Sequence, residues 1–428
     1  MNHTILKTVI LDQHVVIQNS VISPRTYSFE ENGNYILVGL RRAGKSTLLY
    51  QRVRDLVAGG VDWTQIIYIN FEDERLSEFS MNDFQDIVEV QSELSEKPGY
   101  YFFDEIQNVD GWEKFVRRLR DSGARVFVTG SNAKLLSKDI ATEFAGRGDE
   151  IHMYPLSFAE FMSVYKGDKY MGLSEYMLYG GIPLVVQRED ANDKASVLQN
   201  LFSEIYIQDI CKRNKIRNVG ELEDLLSILS SAIGSLTNPE KLRNTFKTVK
   251  KSKITPKTIK KYLDYFEDSF LIASALRYDI KGKAYIETPK KYYFSDLGLR
   301  NARINFRQFE QTHSMENVIY NELRMRGYSV DVGVVPIAEK DKDGKVVRKA
   351  LEVDFVCNLG SARYYIQSAY SLPDEAKRNQ EIRPFRKIDD SFKKIVVTKD
   401  IVPTHYDENG ILTVNIYEFL LNPGSIEG

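Results

Sequence analysis

The chain has 428 residues, 43% of them hydrophobic and 28% charged, with a net charge of −2. It is too long for one ordinary core, and its near-neutral balance identifies no partner by global charge. Two cysteines, Cys211 and Cys357, make neither a disulfide framework nor a metal knuckle, and no apolar stretch of about 18 residues occurs, so a cytoplasmic chain that does not enter a membrane is expected.

The N-terminus, MNHTILKTVILDQH, lacks a basic segment followed by a long apolar run, and no standard export signal is expected. From about residue 30 to 165, short apolar runs alternate with longer amphipathic stretches. The runs are NYILVGL (34–40), IIYINF (66–71), YYFFDE (100–105) and RVFVTG (125–130). Their near-continuous hydrophobicity suits parallel strands covered on both faces, so residues 1–168 read as an α/β domain. The 25 Tyr and 22 Phe are most simply half-buried positions on strands and helix faces, with stacking on nucleic acid the alternative.

Residues 169–215 carry apolar positions at helical spacing around a Gly-Gly-Ile-Pro break and read as a helical lid or connector. A helix is expected over 221–236. Another should open at Thr255, which can cap it, with Pro256 in the first helical position. Two β-like runs then flank Lys281-Gly282-Lys283 as in a hairpin, and helices followed by a hairpin make 216–300 read as a winged helix-turn-helix. The remainder, 301–428, has a helical stretch at MENVIYNELRMRG and strands at YSVDVGVV, LEVDFVCN, RYYIQSAY and KKIVVTKD, a second α/β domain.

Between the first apolar run and the helical run TLLYQRVRDL lies Gly39-Leu40-Arg41-Arg42-Ala43-Gly44-Lys45-Ser46, which fits the phosphate-loop pattern G-x-x-x-x-G-K-[ST]. Such a loop turns backbone N–H groups toward a β-phosphate. Lys45 would neutralise β and γ oxygens of ATP, Ser46 would ligate Mg²⁺, and Thr47 continues the set into the helix. At the end of YYFFDE, Asp104 would hold the metal through water and Glu105 would polarise the attacking water as general base.

RVFVTG ends in Thr129-Gly130-Ser131-Asn132. A small polar side chain there, such as Asn132, could orient the lytic water, or Ser131 and Asn132 could cap a helix from Ala133. Arg147 in FAGRGDE is a candidate finger toward the transferred phosphoryl, acting in its own subunit or in a neighbour of a homo-oligomer; the plain alternative is a surface arginine.

With GLRRAGKS, DEIQNVDGWE, TGSNAKLLS, FAGRG and LSFAEF, and then YGGIP, RYDIKGK, KYYFSDLGLRNA and LEVDFV, the sequence resembles the AAA+-type bacterial and archaeal ATPases of the STAND-related branch. These carry a C-terminal domain of unknown function. The resemblance implies a P-loop NTPase core, a winged-helix module and a C-terminal α/β domain similar to restriction-endonuclease-like PD-(D/E)xK nucleases. In such nucleases two carboxylates hold Mg²⁺ and a lysine steadies the attacking water. Glu316 and Asp354 are in place, but the next strand reads Ile366-Gln367-Ser368-Ala369, where acid-x-lysine belongs. A catalytically degraded domain is therefore expected.

From Lys241 to Lys261 there are nine Lys or Arg residues and no acid. On a helix-turn-helix this would place positive charge where DNA phosphates pass; a solvated face balanced by acids elsewhere is the alternative. Two functions stay open. One is an ATPase that rearranges the C-terminal modules, on DNA among other settings. The other is a nucleotide-dependent sensor or scaffold that binds a protein partner with little turnover.

Overall fold

The computed structural model describes residues 1–132, 149–249, 253–307, 310–340 and 345–427. The chain forms two compact units, Met1–Pro155 with Asp268–Phe270, and Leu156–Glu267 with Leu271–Gly428.

The first unit is built on strands β1 (Tyr35–Gly39), β2 (Ile66–Asn70), β3 (Tyr100–Asp104), β4 (Arg125–Gly130) and β5 (Asp149–Met153). They form one parallel sheet in the order β2-β3-β4-β1-β5. β1 to β4 are the four apolar runs of the sequence. β5 has no counterpart there, because in DEIHM only Met153 is buried, and a partly exposed edge strand carries no apolar run. The helix His3–Asn19 was equally illegible: it buries Leu6, Val9, Ile10 and Ile17 but also exposes Leu11, Val15 and Val16, which blurs its period.

Across one face of this sheet the register sets Tyr35 beside Phe127, Phe127 beside Phe102, and Phe102 beside Tyr68. The neighbouring rings lie 5.5, 4.7 and 6.0 Å apart between centroids, each pair stacked. Leu48, Leu49 and Val53 of the helix Lys45–Ala58 join the same core. This row accounts for part of the aromatic content and seats the helix that follows the glycine loop.

The second unit begins with Leu156, ahead of the expected division at 168, because LSFAEF packs onto the helix Lys169–Tyr179. The Tyr176 hydroxyl donates to the Leu156 carbonyl at 2.8 Å, and Phe158 and Tyr176 meet edge to face. The helices Val219–Ser231, Pro239–Val249 and Pro256–Asp268 follow. Thr255 Oγ1 accepts the Thr258 N–H at 3.1 Å, the expected cap.

β6 (Ile272–Asp279) and β7 (Ala284–Phe294) form the expected antiparallel hairpin, with Asp279 opposite Ala284. The hairpin does not stand alone. The remaining strands are β8 (Ser329–Lys340), β9 (Val346–Leu359), β10 (Ala362–Ala369), β11 (Lys393–Thr398), β12 (His405–Tyr406) and β13 (Ile411–Asn415). All eight form one mixed sheet, β12-β13-β11-β10-β9-β8-β6-β7, in which β6 pairs with β8 in parallel, Arg277 opposite Val332. The division expected at 300 thus falls inside a single sheet, since the free edge of β6 is paired by a strand far along the chain.

Candidate nucleotide site

β1 ends at Gly39, and the chain turns there with φ 143°. A Cβ at this position would lie 2.1 Å from the Met153 carbonyl oxygen of β5, so the close pairing of β1 with β5 admits glycine alone. Leu40, Arg41, Arg42 and Ala43 form the loop, with Arg42 at φ 64° and Gly44 at φ 100° before the helix opens at Lys45. Alternating positive φ turns successive N–H groups inward, as an anion-binding loop requires. Ser46 and Thr47 occupy the first turn of that helix, half-buried.

The Lys45 ammonium is buried and donates to the carbonyls of Gly39 at 3.1 Å and Leu40 at 3.2 Å. It lies 4.0 Å from Glu105 Oε1. Arg41 pairs with Glu72 at 2.5 Å.

β4 separates β3 from β1, and Thr129 on β4 ties the acids to that junction. Its hydroxyl donates to Asp104 Oδ1 and accepts the Glu105 N–H at 3.0 Å. Asp104 also accepts from the Tyr68 hydroxyl at 2.9 Å and is hydrogen-bonded to the Ser46 side chain. Burial pushes the Asp104 carboxyl above the usual range, the charge of Glu105 adds to this, and the bonds from Ser46, Thr129 and Tyr68 oppose it. The two side chains expected to hold a metal are thus in contact.

Glu105 sits at φ 51°, a left-handed conformation that costs a non-glycine residue about 1 kcal/mol or more. Its Oε2 accepts from Ser131 Oγ at 3.1 Å and from Gln107 Nε2. Asn132 follows Ser131, half-buried, just beyond β4. Arg147, and the helix that Ser131 and Asn132 were expected to cap, lie outside the described residues.

Sequence reasoning missed several supports of this site. Tyr68 reads as one more apolar strand residue, yet it stands two places before Asn70, the partner of Asp104, and so on the same face. Tyr50 hydrogen-bonds Tyr68; burial pushes its phenol up to about 12, and the charge of Asp104 adds to this. Arg25 has no local signal at all. Its buried guanidinium donates to the carbonyls of Ala43 at 3.2 Å and Tyr154 at 3.1 Å, bracing the loop from behind.

In the second unit, Glu316 lies on the helix Gln311–Met325, Asp354 on β9 and Gln367 on β10. Continuing the register that sets Ile366 opposite Phe355 places Gln367 opposite Asp354. Of the basic segment, Lys241, Arg243, Lys247, Lys253, Lys257, Lys260 and Lys261 are exposed, while Leu242, Phe246, Ile259 and Leu263 are buried beneath them.

Residues 31–162 match the family described as AAA domain, and residues 171–310 match a domain of unknown function. An uncharacterized protein of Haemophilus influenzae is 36% identical over 394 residues, covering 90% of this chain and 94% of that protein. Uncharacterized protein MJ1544 of Methanocaldococcus jannaschii is 31% identical over 433 residues, covering 97% of this chain and 93% of its own. Among solved structures, the chain is similar to the Aeropyrum pernix Orc1 protein in complex with DNA, at 13% identity over 71% of this chain and 91% of that one, TM-score 0.25. It is similar to AMPPCP-bound DnaA from Aquifex aeolicus at 13% identity over 60% and 88%, TM-score 0.27. Likeness at that level bears on neither ligand nor partner. No described helix is long and apolar enough to cross a membrane.

Proposed function

Because the chain belongs to one family with its Haemophilus influenzae and Methanocaldococcus jannaschii relatives and carries an AAA domain, we propose that it is an AAA+-type ATPase. The observation that carries the reading is the contact of Ser46 with Asp104 at the mouth of the loop, with Lys45 and Glu105 beside them. The donor set suits Mg-ATP: a hydroxyl and a carboxylate for a hard cation, inward N–H groups and an ammonium for phosphates. Bound there, Mg²⁺ would neutralise charge on the β and γ oxygens.

The chain's own residues then divide the work. The loop 39–46 binds and orients the phosphates, and Lys45, already bonded to the loop's carbonyls, turns its charge to them. Glu105 accepts the proton of the attacking water once its carboxylate leaves Ser131 and Gln107, and Asn132 stands by to orient that water. Arg147 is assigned the finger role.

The three helices of 219–268 and the β6-β7 hairpin support a winged-helix reading, and the exposed lysines on two of those helices support DNA as the partner. On this reading turnover in the first unit changes how the second engages DNA.

ATP turnover and Mg-ATP-dependent melting of wild type, Lys45→Ala and Glu105→Gln test the proposal. Lys45→Ala should lose both turnover and the rise in Tm; Glu105→Gln should keep the rise while turnover falls about 10²-fold or more. Equal rates in all three proteins would overturn the ATPase assignment.

A further inference from the structure

The resemblance to PD-(D/E)xK nucleases implies a divalent metal between Glu316, Asp354 and the side chain at 367. The residues in that place do not fit one. Lys291, on β7, projects its ammonium among the carboxylates, 2.9 Å from Glu316 Oε1, 2.7 Å from Glu352 Oε1 and 3.9 Å from Asp354 Oδ1. Its side chain is 4% exposed. The two shorter spacings are those of an ammonium hydrogen-bonded to separate carboxylates, with Asp354 at ion-pair distance, rather than of a metal that draws its oxygens in to about 2.1 Å.

Among the described residues, the only three acidic or histidine ligands with atoms within 4.8 Å of one another are His3, Asp86 and Glu89, far along the chain from this cluster. The strand that should add a carboxylate offers Gln367, whose Oε1 is buried and without a hydrogen-bond partner; the buried Ser368 Oγ is also unpaired. The carboxylates are instead satisfied from within the protein. The Tyr293 hydroxyl donates to Glu316 Oε1 at 2.7 Å, and the Ser368 N–H donates to Asp354 Oδ2 at 2.8 Å.

We propose that Lys291 is the resident cation of this site, its ammonium standing where a nuclease would hold Mg²⁺, so that the carboxylates clamp β7 to β9 and to the helix Gln311–Met325 and take no metal. Burial alone would lower the pKa of Lys291, but Glu316, Asp354 and Glu352 more than offset it and hold the lysine charged. Asp354 is pushed upward by burial and by Glu316, so the cluster tolerates one cation against three acids.

The test uses the full chain without nucleotide. Mn²⁺ binding followed by electron paramagnetic resonance should be the same in wild type and Asp354→Asn; binding lost with Asp354 would overturn the proposal. Lys291→Met should lower Tm by roughly 5–15 °C, because it leaves buried carboxylates uncompensated. Adding Glu316→Gln should then recover part of the loss, although Glu316→Gln alone lowers Tm. A double variant less stable than Lys291→Met would mean that Lys291 matters for packing and not as a counter-ion, again overturning the proposal. Should Lys291→Met fail to fold, the Mn²⁺ comparison decides by itself.

Discussion

On the proposed ATPase reading, the Tyr68 hydroxyl helps to set the pH range in which the site works. It is fully buried at the end of the aromatic row and donates to Asp104, stabilising the ionised carboxylate that burial disfavours. Tyr68→Phe keeps the ring and removes that donor, so the Asp104 pKa rises further. If turnover needs ionised Asp104, the acid limb of the pH–rate profile moves to higher pH, and turnover at a fixed pH on that limb falls about fivefold, the worth of one hydrogen bond near 1 kcal/mol. An unmoved limb would remove Tyr68 from the machinery. The signal for this role is faint: Lys45 and Ser46 stand out by the phosphate-loop pattern and Asp104 by its place at a strand end, whereas a tyrosine inside IIYINF reads as core. Arg25 has no signal, since the two carbonyls its guanidinium reaches lie 18 and 129 residues away.

At the scale of elements, two segments quoted separately in the sequence, YGGIP and FSDLGLRNA, prove to be halves of one contact. The Asp296 carboxylate caps the helix Leu297–Arg303, accepting the Leu299 N–H at 3.1 Å, and accepts the Gly181 N–H at 2.7 Å. Gly180, at φ 75°, passes so close that a Cβ would lie 2.2 Å from Asp296 Oδ1. Asn301 Nδ2 completes the join, donating to the carbonyls of Met177 and Leu178. Motif spacing cannot reveal such a pairing, because each half also makes sense as an ordinary turn or helix start. Asp296→Ala removes every acceptor and should destabilise the chain by about 2–4 kcal/mol in urea unfolding. Burial pushes the Asp296 carboxyl up to about 6, against opposing bonds from Gly181 and Leu299. The folded state therefore holds this proton more tightly than the unfolded chain, whose value is the ordinary 3.8. The group's contribution is complete below about pH 4 and falls as pH rises through 6. The stability difference between wild type and Asp296→Ala should accordingly be largest near pH 4 and narrow toward pH 7. A difference that widens over that range would contradict the assignment.

For the whole molecule, the alternation of apolar runs and helices made the parallel sheet of the first unit legible, because strands covered on both faces announce themselves. The second unit resisted, since a hairpin reads the same whether it stands alone or, like β6 and β7, extends a sheet of distant strands. The basic segment poses the same question of function. Lys257, Lys260 and Lys261 are exposed on one helix whose buried side carries Ile259, Leu263 and Phe266. A solvated face and a phosphate-binding face look alike without a partner, but they differ in salt dependence. If these lysines meet DNA, affinity for a duplex should fall steeply with salt, and changing all three to alanine should reduce the log–log slope by about 2–3, near 0.9 per phosphate contact. Since the three side chains are exposed, the variant should melt close to the wild type. Binding with an unchanged slope would move the DNA contact elsewhere, and salt-insensitive behaviour would favour a protein partner for this unit.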